Sequence, residues 1–184
     1  MRMTGLILLA ALAAPAANAV EYQTVLPKQS TIHFEFRQMG VPIKGGFKRF
    51  TTQMAFDPAR PEAARAQIEI DLASIDAGSP EADDESAGKL WFDRSVYPKA
   101  TFVSSQVRAL GNNRYEMRGT LTLKGRSREM IVPVTFSPGN QAAVFDGAFV
   151  LRRLDFGIGE GMWADVATVA NEVQVRFRIA ATGN

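Results

Sequence analysis

Alternation of apolar and polar residues at every second position constrains this chain more than any other feature. Met130, Val132, Val134 and Phe136 recur two apart, as do Val173, Val175, Phe177 and Ile179, the latter interleaved with Gln174, Arg176 and Arg178. Successive strand side chains point to opposite faces, so this period describes strands with one greasy face on a core and one wet face outward. Residues 97–181 carry the pattern as one long antiparallel meander, and no catalytic motif interrupts it.

The first half reads in the same way. Ile32, Phe34 and Phe36 alternate with His33, Glu35 and Arg37, and Gly40 and Pro42 end that strand. Gly45-Gly46 leads into Phe47 to Phe50 and then Gln53 to Phe56. Ala66, Ile68, Ile70 and Leu72 alternate with polar partners as a third strand. Ser79-Pro80-Glu81 has the form of an N-cap followed by proline at the first helical position, and a short helix is expected over 83–92. Later strands are expected near 100–110, 115–123, 128–137, 141–154 and 172–181, with turns at Gly111-Asn112-Asn113, Lys124-Gly125-Arg126 and Pro138-Gly139-Asn140. Eight strands joined mostly by tight turns make an all-β chain. Closing such a meander into an eight-stranded antiparallel barrel, with the helix capping one end, hides its edges. A filled sandwich is the structural alternative.

The N-terminus has the composition of an export signal: Arg2, an apolar run from Leu6 to Ala14, and the small-x-small pattern Ala17-Asn18-Ala19. The run is shorter than the roughly 20 residues that span a bilayer. Residues 1–19 are therefore expected to be cleaved, giving a soluble periplasmic product that begins at Val20. Removing 19 of the 184 residues leaves 165, enough for a single domain over 20–184 with a real core. The chain has no cysteine, which excludes disulfides, thiolate metal sites and a thiol nucleophile. Loss of Arg2 takes the formal net charge from +2 to +1, with no basic stripe of the kind nucleic acid requires.

Several short runs occur together in a specific order. They are Ser30-Thr31-Ile32-His33-Phe34, Met39-Gly40, Gly46-Phe47, Phe56-Asp57-Pro58 and Asp71-Leu72-Ala73-Ser74-Ile75. Trp91-Phe92-Asp93, Tyr97-Pro98-Lys99-Ala100-Thr101-Phe102, Gly119 to Gly125 and Arg153-Leu154-Asp155-Phe156-Gly157-Ile158-Gly159 follow. In these runs, which extend from about Tyr22 to Ala181, the chain resembles the YceI-like family of periplasmic, lipocalin-like polyisoprenoid-binding proteins. The resemblance implies an eight-stranded lipocalin-like barrel holding an isoprenoid chain, such as a polyprenyl or quinone tail, with no cofactor and no settled enzymatic activity. Many family members carry a histidine before the Met-Gly pair, where this chain has Gln38. Gln38 shares the parity of Phe34 and Phe36; a neutral amide there would hydrogen-bond a head group without titrating.

The candidate ligand-binding set is Phe34, Phe36, Gln38, Phe47, Phe56, Phe102, Leu121, Phe136 and Phe149, with Trp91, Phe92 and Trp163 expected at a barrel mouth or cap. For each phenylalanine, including Phe177, plain core packing is the competing reading. The only histidine, His33, falls on the Glu35/Arg37 face and so points away from the interior, which removes a catalytic triad and leaves no metal set beyond carboxylates. Asp83-Asp84-Glu85 suits the first turns of a helix better than a cation site. Gly157-Ile158-Gly159-Glu160-Gly161 lacks the Lys-Ser/Thr of a phosphate loop and lies between strands. The expected function is isoprenoid carriage or sequestration, with transient contact to a membrane or a membrane protein, as a monomer or homodimer. A filled barrel acting through its surface, as a partner-binding or stress-protective module, is the rival.

Overall fold

The computed structural model describes residues 20–183. The expected export signal, residues 1–19, lies outside the described residues. Eleven strands form one antiparallel sheet: β1 (Tyr22–Val25), β2 (Thr31–Gln38), β3 (Val41–Phe47), β4 (Phe50–Ala55), β5 (Arg65–Asp71), β6 (Ile75–Asp76), β7 (Lys99–Gly111), β8 (Arg114–Leu123), β9 (Arg126–Ser137), β10 (Ala143–Arg152) and β11 (Glu172–Gly183). The order is β4-β5-β7-β8-β9-β10-β11-β2-β3-β6, with β1 added beside β11.

The all-β architecture is therefore as expected, but the count of eight strands is corrected to eleven. The additional ones are β1, β3 and β6. Strand β3 contains Pro42 and Gly45-Gly46, residues that normally weaken a strand. Here Gly45 is obligatory, because a Cβ at this position would run into the Phe34 ring and the Asp76 carbonyl. Pro42 is tolerated because β3 is nearly an edge strand, paired beyond β2 only by the two residues of β6.

The curl is also incomplete. The terminal strands β4 and β6 are not paired, so the sheet is a half-barrel with a seam. Backbone bonds from Lys48 N–H to Ser74 O and from Asp71 N–H to Arg49 O stitch one end of it, and Arg49 N–H donates to Ser74 Oγ at 2.9 Å. An open cleft of about 720 Å³ follows the seam, between Ile32, His33 and Phe47 on one side and Phe50, Thr51 and Glu69 on the other.

Two-residue turns fix the register of three hairpins. Met39-Gly40, Asn112-Asn113 and Lys124-Gly125 all have positive φ at both residues, the conformation that matches the twist of the flanking strands. Asparagine and glycine adopt it readily; Met39 and Lys124 do so at a cost. Close packing on glycine recurs inside the sheet, where the rings of Phe102 and Phe177 lie over Gly119 and Gly147 of the adjoining strands and leave no room for a Cβ.

The single α-helix among the described residues, α1, spans Pro80–Ala87. Ser79 caps it by accepting from Ala82 N–H, and Pro80 occupies its first turn, as the sequence indicated. It stops five residues short of the expected Phe92. Gly88 ends it, and Leu90-Trp91-Phe92 continue as turns, with Phe92 N–H bonded to Ser86 O and Trp91 N–H to Gly88 O.

Candidate functional site

The inward parity of the strands lines an apolar, partly open cavity of about 60 Å³. Strand β4 and the residue after it supply Thr52, Met54 and Phe56, and β5 supplies Ala66 and Ile68. Tyr115 and Met117 come from β8, Val134 from β9, Phe145 from β10, and Phe177 and Ile179 from β11. Val107 joins them because a bulge between Ser104 and Gln106 shifts the register of β7, so an odd-numbered residue takes the inward side after Phe102. Arg65, the one charged residue of the lining, is exposed to solvent. Burial pushes the Tyr115 phenol up from its ordinary value, which keeps it neutral. The volume admits only a few water-sized bodies, well below the roughly 300–1,000 Å³ of a pocket for a drug-sized ligand.

One end of this cavity is closed by aromatic packing. Phe56 lies 5.1 Å, centroid to centroid, from each of Tyr115, Phe136 and Phe145, and Tyr22 of β1 packs edge-on to Phe136 at 5.4 Å. Of the candidate ligand-binding set, Phe56 alone lines the cavity, and Phe177, weighed beside it, lines it too. Phe102, Leu121 and Phe136 are buried in the surrounding core, and Phe47, Trp91, Phe92 and Phe149 pack against it half-buried. Phe34 and Phe36 form a half-buried aromatic patch that meets the core through Phe47, with Phe34 centred 6.3 Å from Phe36 and 5.6 Å from Phe47. Gln38 sits at the tip of the β2–β3 hairpin, where it bridges to Val169 instead of reaching the cavity.

The residues missed were partly visible. Tyr115 and Met117 share the parity of Leu121, Val134 that of Phe136, and Phe145 that of Phe149. Thr52 carried no signal, because a threonine interrupts the apolar series Phe50, Met54, Phe56.

The opposite end is capped by loops that converge on Arg153. This side chain is 2% exposed, and its guanidinium donates to five carbonyl oxygens. Nε bonds Ala170, Nη1 bonds Ile158 and Gly159, and Nη2 bonds Trp163 and Val169, over 2.6–3.0 Å. The five bonds use all five N–H groups. Burial pulls its pKa down from the ordinary value, while the cation also lies 5.9 Å from the centre of the Trp91 ring. Trp91 and Trp163 pack 5.6 Å apart, and Trp163 Nε1 donates to Glu85 Oε1 of α1 at 2.9 Å. Both tryptophans thus sit at one end of the sheet, the end expected to be a mouth or a cap, and there they form part of a cap. Lys124 adds a second tie, donating to the carbonyls of Lys89 and Gly157 and to Glu160. That bond, with Arg126 nearby, holds the Glu160 carboxyl below the usual range. Sequence reasoning missed Arg153 and Lys124, since isolated basic residues read as surface.

Two buried side-chain polar atoms find no hydrogen-bond partner among the described residues: Thr52 Oγ1 and Trp91 Nε1. His33 is exposed and faces outward, on the rim of the seam cleft, opposite Arg176 and Gly46. Among the described residues no three His, Asp or Glu side chains are grouped to hold a metal ion. The arrangement is thus one for enclosing apolar matter, with acids and bases spent on the cap and the surface.

This chain has relatives both by sequence and by fold. The chain is 32% identical to a UPF0312 protein of Vibrio cholerae over 170 residues, covering 86% of this chain and 90% of the relative. A UPF0312 protein of Pseudomonas savastanoi pv. phaseolicola is 32% identical over 159 residues, covering 81% and 82%. The crystal structure of Burkholderia cenocepacia BcnA superimposes with a TM-score of 0.84 at 42% identity, covering 86% of this chain and 99% of BcnA. A polyisoprenoid-binding domain from Saccharophagus degradans shares the fold, with a TM-score of 0.68 at 14% identity over 91% of this chain and all of that domain. The YceI-like domain itself matches residues 23–181, from the first strand to the last and through both the Phe56 end and the Arg153 cap, so this chain belongs to the YceI-like domain family.

Proposed function

We propose that this protein binds the apolar chain of an isoprenoid lipid inside the curled sheet and carries or sequesters it in the periplasm. The observation that carries this reading is the character of the interior, a cavity walled almost wholly by apolar side chains. The polyisoprenoid-binding domain that shares the fold supports the choice of ligand class.

A cavity of about 60 Å³ does not hold such a chain without expansion. Two features allow expansion. Met54 and Met117 line the wall with flexible thioethers that repack readily. The seam beside β4 is held by only a few backbone bonds, those of Lys48 and Asp71 at one end and the Tyr22–Phe56 pair at the other, so it opens at less cost than a full strand ladder. Burial contributes about 0.8 kcal/mol per CH₂ group, so a long tail supplies more than the roughly 18–21 kcal/mol at which affinities saturate. Opening the interior and ordering the chain offset much of that gain. Affinity then rises with tail length and depends weakly on the head group.

The small volume also favours a second reading, a filled barrel that works through its surface. Mass spectrometry of an organic extract of the purified protein, with titration of delipidated protein, separates the two. A long-tailed isoprenoid quinone should quench the fluorescence of Trp91 and Trp163 saturably, and a short-tailed quinone with the same head group should bind far more weakly. An empty extract together with no saturable quenching would return the function to the surface. Periplasmic carriage requires export, so N-terminal sequencing of the native protein should begin at Val20. An intact Met1 form in the membrane fraction would contradict that.

A further inference from the structure

Resting on that lipid-binding reading, we infer that Thr52 is the contact for a neutral oxygen at the polar end of the bound lipid, a carbonyl or a hydroxyl. The polar end would then lie within the interior and not at the Trp91 cap. Three observations lead there. Thr52 lines the cavity, and its Oγ1 is buried with no partner. A native protein seldom leaves a buried hydroxyl unpaired, because the group has given up water and received nothing. Its neighbours in β4, Phe50 and Met54, share its inward parity, so a valine of the same shape would have met the packing need without that cost.

The chemistry of the lining narrows the ligand. Its one cation, Arg65, is exposed, so a phosphate or carboxylate drawn inside would be desolvated without a partner. A threonine hydroxyl both donates and accepts, so it serves a carbonyl or an alcohol equally. Tyr115 is the other side chain of the lining with a hydroxyl, but its oxygen is not among the buried unpartnered atoms. The second orphan, Trp91 Nε1, only donates and does not border the cavity. It is the natural competitor for the head group, since a lipid lying the other way round would place its polar end at the cap.

The test is calorimetric titration of delipidated full-length mature protein with three ligands that share one long isoprenoid skeleton: an isoprenoid quinone, the corresponding prenyl alcohol and the hydrocarbon. Thr52→Val should weaken quinone and alcohol about three- to tenfold, the size of one hydrogen bond, and leave the hydrocarbon unchanged. Thr52→Ser should restore binding, and Trp91→Phe should leave head-group preference as it was. Without ligand, Thr52→Val should melt at the same temperature as wild type or higher. A marked drop would mean the hydroxyl is already satisfied within the protein, which overturns the contact. Equal binding of all three ligands by wild type and Thr52→Val would overturn it while leaving the lipid reading standing. So would loss of head-group preference in Trp91→Phe alone. Wild-type protein that binds none of the three would sink the lipid reading and the Thr52 contact together.

Discussion

Replacement of Arg153 by methionine tests whether a single buried cation holds the cap. The side chain gives five hydrogen bonds to carbonyl oxygens, and no carboxylate among the described residues pairs with it. Bonds from a charged donor contribute about 1.5–3 kcal/mol each, but keeping a guanidinium out of water costs several kcal/mol, so the bonds cannot simply be added. The variant is better judged by what it leaves behind. The carbonyls of Trp163 and Ala170 lie at partly exposed bonds and can turn to solvent, whereas those of Ile158, Gly159 and Val169 are buried. Three buried carbonyls without a donor, at about 1–3 kcal/mol each and relieved by some loop movement, put the loss near 4 kcal/mol. Measured against the 5–15 kcal/mol typical of a whole domain, that is a large share. Urea unfolding followed by tryptophan emission reads it directly, because Trp91 lies beside the guanidinium. Hydrogen exchange should show lost protection across residues 157–171, with β9 and β10 unaffected. Arg153→Lys keeps the charge but offers at most three donors, and should lose roughly half as much. A methionine variant within about 1 kcal/mol of wild type would refute the reasoning, since it would show that the five carbonyls are held by the loops themselves.

Phe136→Ala should cost about 3–5 kcal/mol in denaturant unfolding, as expected for a buried ring packed on Phe56 and Phe145. Phe36→Ala, on the half-buried β2–β3 patch, should cost clearly less; equal losses would mean the two sites are equally enclosed. His33→Ala should leave fold and ligand content unchanged, and loss of bound lipid would show that the outer rim of the seam takes part in binding. Neighbouring N–H groups and cations hold Asp57, Asp71, Asp76 and Glu160 below the usual carboxylate range, Arg60 acting on Asp57, Arg49 on Asp71, Lys48 on Asp76 and Lys124 on Glu160. Their stabilisation is present above the ordinary carboxylate range and fades as pH falls through it, so melting temperature should be flat near neutrality and decline shallowly in acid; a steep loss near neutral pH would contradict this.

Strands with an uninterrupted alternating face were legible in the sequence. Val132, Val134 and Phe136 in β9, and Phe177 and Ile179 in β11, are inward as their period indicated. Strand β3 was hidden, because Gly45-Gly46 makes sense only with the Phe34 ring lying over it, a contact between strands. The lining was legible as a class of residue but not as a set. Phe56 was found, whereas Phe34 and Phe36 have the right parity but belong to a strand that stands away from the cavity. Val107 depends on a bulge that no local pattern announces. Arg153 was beyond reach for a related reason: its role exists only once a loop of some fifteen residues has turned five carbonyls towards one point.

The place of β2 in the sheet has a consequence for how the molecule assembles. Ile32 and Phe34 lie opposite Phe177 and Val175, so the first long strand pairs with the last. The β2–β3 hairpin can form locally as soon as it is made, but its other edge has no partner until the C-terminal strand exists. Closing so long a stretch of chain costs little more than closing a moderate one, yet contacts between distant residues slow folding. Until then β2 and β10 both present bare edges carrying Phe34, Phe145 and Phe149, the kind of surface that recruits other chains. A product truncated before Glu172 would therefore be driven to aggregate and would not persist as a smaller folded core, so the last dozen residues decide whether the rest of the chain stays in solution.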